Sequence, residues 1–299
     1  MVSPFLADLF ESHRTHLLSV AYRLTGSVGD AEDAVQESWL RMAGVHQSEI
    51  DDLRAWLTTV VSRICLDHLR SAAVRRETYV GQWLPEPIVS ASASSRTPDP
   101  LDVVVRDQDS RMAAMVVLDA LTPQQRVALV LHEGLGVPFA EIAEILGVSA
   151  DAARQLAVRA RRAVARAPEP VADDVHDQAV RRFLAALATG DVAAVAAALH
   201  PDVTFIADAG GTTKTTLNVV AGQEKVARLA LALWSRHQQE PGLDIGAATV
   251  NGQSGLVVTD PNSPFGRPVR VLAFVVSDGK IWAAYDFANV TKLSGARPR

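Results

Sequence analysis

The residues in this chain best suited to chemistry are arginines grouped in short blocks. Between Ala150 and Arg166 stand five arginines and one acid. Between Ser62 and Arg76 stand four arginines and one acid. Guanidinium groups neutralise phosphate, and Arg and Gln side chains make paired hydrogen bonds to base edges. A third block is opposite in sign: Asp30 to Glu37 holds four acids and no base. The net charge of the 299 residues is −5. All four lysines (Lys214, Lys225, Lys280, Lys292) lie in the last third or so. Basic helices inside an acidic body bind free DNA weakly and need help to engage it.

Signals for covalent chemistry are weaker. Asp208, His237, Asp244 and Asp286 are acid–base candidates without a spacing signature. They read more simply as turn, surface or satisfied core groups. Gly210-Gly211-Thr212-Thr213-Lys214-Thr215 has the flavour of a phosphate loop, but Thr213 stands where that pattern needs glycine. His13 and His16 lack further metal ligands nearby. The single Cys65 excludes an internal disulfide and any zinc site built on two thiolates from one chain. The expectation is a protein without cofactor, metal or catalytic activity. No apolar run reaches the length of a membrane span, and Met1 to Phe5 shows no secretory pattern. A cytoplasmic location without membrane contact is therefore expected.

The elements that position these groups are punctuated clearly. With 48% hydrophobic and 21% charged residues the chain is globular, and its length suits two or three domains. Asp30 is placed to cap a helix whose apolar stripe is Val35, Trp39 and Met42, with Asp33, Gln36 and Glu37 opposite. A second helix runs from about Leu53 to Arg76, with Arg63, Asp67 and Arg70 stacked on one face. Residues 77–108 have linker composition, rich in proline and serine. Thr122-Pro123-Gln124-Gln125 is a capping box with proline at the first helical position. A short helix from Phe139 to Leu146 follows, then Gly147, then Ser149 as cap of an arginine-rich helix. That is a helix-turn-helix, whose second helix enters the major groove N-terminus first. Ala150, Asp151, Arg154, Gln155 and Val158 then face bases, while Arg159, Arg161, Arg162 and Arg166 lie further along and suit phosphate.

Asp30-Ala31-Glu32-Asp33-Ala34-Val35-Gln36-Glu37-Ser38-Trp39-Leu40 resembles the region 2 helix of extracytoplasmic-function (ECF) sigma factors of the sigma-70 type. Ala55-Trp56-Leu57 through Asp67-His68-Leu69-Arg70 resembles the helix that follows it, and Leu121 through the helix-turn-helix resembles region 4. The resemblance implies that Asp33, Ala34, Val35, Gln36 and Glu37 dock on the clamp of the largest subunit of core RNA polymerase. It implies that Arg63, Asp67 and Arg70 engage the −10 element of promoter DNA and that region 4 reads the −35 element. The implied division is a region 2 domain at 1–76, the linker at 77–108, and a region 4 domain at 109–168.

The rest of the chain has another character. Val180, Phe183, Leu184 and Leu187 form a helix stripe, and Asp191 caps a second helix. A strand through Val203, Phe205 and Ala207 and a helix from about Gln223 to His237 follow, then four strands. Asn251-Gly252 and Asp278-Gly279 are hairpin turns. The expectation is an α+β domain at 169–293 with an antiparallel sheet curled round a helix. With His200-Pro201-Asp202-Val203 it resembles a SnoaL-like, NTF2-like cone. A SigJ-like subgroup of ECF sigma factors carries such a domain there. Its linker motif is matched by the run Tyr79 to Pro87, including Trp83, Leu84 and Pro85. Its glycine loop is matched by Asp208, Gly210, Gly211 and Lys214, with Ala209 and extra threonines departing. Its end motif is matched by Asn289, Lys292 and Leu293, with Val290 and Thr291 departing. The resemblance implies that these residues are regulatory contacts through which the extra domain adjusts activity in cis. Trp234, Trp282 and Tyr285 either line a cone cavity that takes a small ligand or form plain core.

The reading is a promoter-specificity subunit with a regulatory domain on the same chain. Two others stand beside it: a stand-alone helix-turn-helix regulator with a ligand-sensing cone, and an NTF2-like enzyme fused to a DNA-binding module.

Overall fold

The computed structural model describes residues 4–45, 50–76, 79–90, 100–104, 111–165, 167–211, 213, 215–239, 242–260 and 268–293. The chain divides into two units. The first holds the described residues within 1–77, 97–110 and 114–167; the second holds those within 78–96, 111–113 and 168–299.

In the first unit, α1 (Pro4–Thr25), α2 (Val28–Ala43) and α3 (Leu53–Arg76) pack round Leu17, Ala21, Leu24, Val35, Met42, Leu57, Val61 and Ile64. Asp30 does not cap α2: the cap is Ser27, whose Oγ accepts from the Asp30 N–H at 3.2 Å, leaving Asp30 in the first turn. An acid is favourable there too, because the helix N-terminus carries partial positive charge. After α4 (Pro100–Val104) and α5 (Met112–Asp119), α6 (Pro123–Leu135) starts on the expected capping box, with Thr122 and Gln125 exchanging hydrogen bonds.

The helix-turn-helix is α7 (Phe139–Leu146) and α8 (Ala150–Val164). Gly147 turns the chain between them at φ +69°, a left-handed conformation that any side chain would strain. Ser149 caps α8 by accepting from the Ala152 N–H at 3.2 Å. Along α8, Ala153, Ala157 and Ala160 are fully buried, so methyl-sized contacts bring α6 and α7 close.

The two helical blocks, expected as separate modules, are one unit. α6 packs on α1 and α3, and α7 packs on α3. Arg126 of α6 is buried within this seam. Its Nε donates to the Arg23 carbonyl at 2.9 Å, and its Nη1 lies 3.0 Å from Asp119 Oδ1. A guanidinium needs several acceptors when removed from water, and here two elements supply them.

The second unit contains α9 (Asp173–Thr189), α10 (Val192–Ala197), α11 (Gln223–Gln239) and a seven-stranded sheet. The strands are β1 (Val89–Ser90), β2 (Leu199–Asp208), β3 (Val220–Ala221), β4 (Asp244–Val250), β5 (Gln253–Thr259), β6 (Pro268–Ser277) and β7 (Lys280–Phe287). Their order is β1-β4-β5-β6-β7-β2-β3. The sheet is mixed, not antiparallel throughout: β2 pairs with β7 in parallel. β2 joins the far edge of a meander that starts after α11, and that connection permits a parallel partner. Both hairpins form where expected, with Asn251 and Asp278 at φ +48° and +49° followed by glycine. The core joins Phe183, Leu187, Val203, Phe205, Leu231, Phe274 and Ile281.

Part of the stretch read as linker is ordered structure. Residues 79–90 belong to the second unit, and β1 extends its sheet beside β4, with Val89 opposite Val250. The signal was obscured because the run Tyr79 to Pro87 is proline-rich and has no period. It is held by side chains from distant positions.

Candidate functional site

Three surfaces carry the candidate residues. On α8, Asp151, Arg154, Gln155, Val158, Arg159, Arg161 and Arg162 are exposed, and Ala150 is half-buried. The alanine stripe takes the opposite side, so the helix divides cleanly into a packed face and a solvent face. Arg154 is held by Asp151 at 2.6 Å, and its guanidinium lies 5.4 Å from the centre of the Phe139 ring. Phe139 in turn stacks on His132 at 3.9 Å. Arg161 is paired with Glu133 of α6. Arg166 lies outside the described residues.

On α3, Arg63, Asp67 and Arg70 are exposed. Arg70 pairs with Asp67 at 3.3 Å, whereas Arg63 donates to the Glu144 carbonyl of α7 at 3.4 Å. On α2, Asp33 and Gln36 are exposed and Glu37 is half-buried beside Arg41 at 2.5 Å. Ala34 and Val35 are buried, so they support this face from beneath and do not present it. Leu40, 63% exposed, stands on the same face one turn on and was not singled out from the sequence. Its i+4 and i+7 spacing from Gln36 and Asp33 was the available signal.

The third site lies in the second unit and gathers three sequence motifs into one buried clasp. Asp208, at the end of β2, is fully buried. It accepts hydrogen bonds from the Tyr79 hydroxyl and from the Leu84 N–H at 2.9 Å. Lys292, in the closing turn Val290–Leu293, reaches the same carboxylate at 2.6 Å and the Leu84 carbonyl at 2.5 Å. Its ammonium sits 3.2 Å from the centre of the Trp83 ring, a cation–π contact. Asn289 donates to the Tyr79 oxygen at 2.9 Å. Gly210 has φ +56°, and a Cβ there would come within 2.5 Å of Asn289. A Cβ on Gly211 would lie in ordinary van der Waals contact with Val80, at 3.5 Å, and it is the φ of +73° there that favours glycine. Burial, with Asp208 as second cause, raises the Tyr79 phenol above its usual range, so it stays a donor. Leu84, Pro85 and Leu293 are buried. At the far end, Asn251 exchanges two hydrogen bonds with Ile88, at 3.0 and 2.8 Å. Asn251 was read only as a turn residue. Lys214 lies outside the described residues.

Of the remaining candidates for chemistry, His237 and Asp286 meet on one guanidinium: Arg270 Nη1 lies 3.1 Å from His237 Nε2, and Arg270 Nε lies 3.1 Å from Asp286. Asp244 is exposed. Asp286 is fully buried and 3.1 Å from Arg270 Nε, and Thr215 donates to it at 3.1 Å. Burial pushes the Asp286 carboxyl upward, with Arg270 opposing. His16 faces Thr58 and Arg54. Among the described residues no three His, Cys, Asp or Glu side chains come together as a metal site, and no helix is long and apolar enough to cross a membrane.

Three family models match the chain: sigma-70 region 2 over residues 9–75, sigma-70 region 4 over 111–164, and a SnoaL-like domain over 180–284. The ECF RNA polymerase sigma factor SigJ of Mycobacterium tuberculosis is 51% identical over 296 residues, covering 96% of this chain and 93% of that one. The chain belongs to the ECF sigma factors. A second relative of this sigma factor, the probable ECF RNA polymerase sigma factor SigI of Mycobacterium tuberculosis, is 35% identical, covering 96% of this chain and 94% of that one. The crystal structure of Mycobacterium tuberculosis SigJ superposes with a TM-score of 0.80 at 49% identity, covering 97% and 98% of the two chains. The two helical blocks of this sigma factor are therefore regions 2 and 4, and its α+β unit is SnoaL-like.

Proposed function

We propose that this sigma factor binds core RNA polymerase, reads the −10 and −35 elements of a promoter and directs initiation. The carrying observation is the division of α8. Seven polar or apolar groups suited to DNA are exposed, while the buried stripe is alanine alone. The arginines at 154, 159, 161 and 162 share the solvent face of α8 and supply the positive charge that phosphate contact needs. Arg154 and Gln155 are the base readers, and the later arginines touch phosphate. Arg63, Asp67 and Arg70 of α3 serve the −10 element. Asp33, Gln36, Glu37 and Leu40 of α2 form the polymerase-docking face.

The packing of regions 2 and 4 supports a further step. Arg63 is engaged by the Glu144 carbonyl and Arg126 bridges α1 and α6. Polymerase must part this seam before the two modules reach elements a promoter's length apart. The SnoaL-like unit adjusts that opening in cis. The clasp on residues 79–90 takes up part of the chain that joins α3 to α5. Tether length sets the effective concentration of the second DNA contact after the first. The cone does this by contact, without covalent chemistry, and the chain works in the cytoplasm, where polymerase is.

Reconstituted transcription tests the reading. Purified bacterial core enzyme, this chain and its own upstream DNA are expected to give a transcript that core enzyme alone does not. Absence of both association with core and transcript overturns it.

A further inference from the structure

Arg154, near the start of α8, is exposed, yet its guanidinium is held from two sides. Asp151, one turn earlier, takes Nη1 at 2.6 Å. The guanidinium carbon lies over the Phe139 ring, 5.4 Å from its centre, inside the roughly 6 Å at which a cation and an aromatic face attract. Phe139 is backed in turn by the His132 ring, stacked at 3.9 Å with 29° between the planes. His132 is fixed by its own Nδ1, which donates to the Val137 carbonyl at 3.1 Å. Helices α6, α7 and α8 thus supply one layer each. The arrangement leaves the other edge of the guanidinium open. Its Nε and Nη2 hydrogens point the same way there, and among the described residues none accepts from them.

We infer that Arg154 and Asp151 together read a G·C pair of the −35 element, and that Phe139 is the positioning residue that holds the Arg154 plane for that contact. The inference rests on the proposed role of α8 as the −35 reader. In the major groove guanine shows two acceptors side by side, N7 and O6, and its cytosine follows with a donor at N4. The free Arg154 edge and the Asp151 carboxylate offer the complement: two donors, then an acceptor. An A·T pair shows acceptor, donor, acceptor, so its middle group would meet a second N–H. A phosphate would accept from the same free edge, but the Asp151 carboxylate beside it would repel it. Holding the plane in advance matters because a long exposed side chain otherwise loses rotamer freedom when it binds.

The test is selection and sequencing. Core polymerase assembled with the full chain selects from its own upstream DNA, with the −35 positions randomised. Guanine is expected at one position by about ten-fold or more over adenine. Arg154→Gln should move the preference at that position alone to adenine, whose N7 and N6 suit an amide. Phe139→Leu should cut the guanine preference about two- to five-fold with the other positions unchanged. Phe139→Tyr, which keeps the ring, should restore it. Circular dichroism checks that each variant folds. If Phe139→Leu does not fold, His132→Leu, which removes only the backing ring, is read in its place. The inference is overturned if no selected guanine depends on Arg154. It is overturned too if the folded ring variant keeps the full guanine preference, or weakens every position alike as a merely structural residue would. Selection of no −35 sequence by the unaltered chain overturns the role of α8 itself, and the inference with it.

Discussion

Lys292 and Asp208 are 84 positions apart in sequence, and their side chains meet at 2.6 Å with both residues almost fully buried. The pair closes on a third party, the backbone of Leu84, whose N–H goes to Asp208 and whose carbonyl accepts from Lys292. An ion pair buried this way is costly to assemble and more costly to break by halves. Both ends of the pair are used on one residue of the clasped segment, the N–H and the carbonyl of Leu84.

Lys292→Met leaves Asp208 with a buried negative charge and removes the Leu84 carbonyl's partner. A loss of about 3–5 kcal/mol is expected for the second unit, since one member of a buried pair is removed. Residues 79–90 should become open to protease before the rest of the unit. Limited proteolysis with mass spectrometry reads this directly. Protection equal to that of the unaltered chain would mean that the apolar contacts of Leu84 and Ile88 suffice to hold the segment.

Arg126 stands in the same relation to regions 2 and 4. Arg126→Met keeps the length of the side chain but leaves the Arg23 carbonyl and the Asp119 carboxylate short of a donor. Destabilisation of the first unit by about 2–4 kcal/mol is expected. If the seam restrains the free chain, binding to core polymerase should hold or improve in whatever fraction stays folded. Denaturant melts and a core-binding titration separate the two effects.

Much of this fold was legible because its signals are local. Thr122, Ser149 and Gly147 act within a few residues of themselves, and so do the Asn251 and Asp278 turns. The face of α8 was legible for the same reason, its alanines and arginines alternating with helical period. The parallel pairing of β2 with β7 was not, because register between strands some 80 positions apart leaves no mark in either strand. The clasp was half legible. Asp208, Asn289 and Lys292 stood out by resemblance, but nothing local shows that a proline-rich run becomes their partner. Asp30 misled because Ser27, three residues earlier, competes for the same role and wins.

Of the proposed base readers, Arg154 has the most definite geometry, oriented by Asp151 and lying over Phe139. Arg154→Ala should weaken binding of the polymerase complex to a matched −35 element by about 1–3 kcal/mol. On a scrambled element the loss should be much smaller. Equal losses on both sequences would reassign Arg154 to phosphate. Asp151→Ala, which frees the guanidinium without deleting it, should cost less than Arg154→Ala on the matched site.

The docking face proposed for α2 can be tested without disturbing its core, since Asp33 is exposed and Glu37 half-buried while Ala34 and Val35 carry the packing. Asp33→Lys with Glu37→Lys should leave helix content unchanged and weaken association with core polymerase at least ten-fold, an effect of about 1.4 kcal/mol or more. Leu40→Asp should act in the same direction, because an apolar side chain this exposed has no packing role to lose. Unchanged association in both variants would move the docking surface elsewhere on region 2.

His16 gives the first unit a dependence on pH. Burial first, then the positive charge of Arg54, holds its imidazole down at about 4, against 6.5 for a free histidine. An unfolded chain therefore takes up this proton near pH 6.5, while the folded chain refuses it until near 4. Between those values the unfolded state binds more protons, so stability falls as pH drops and is fully present only above the upper one. The imidazole is half-buried, which screens the effect to about 1 kcal/mol. His16→Gln keeps a partner for Thr58 and should flatten the stability profile across that interval, as measured by denaturant midpoints at a series of pH values. A profile as steep as that of the unaltered chain would assign the acid sensitivity to other groups.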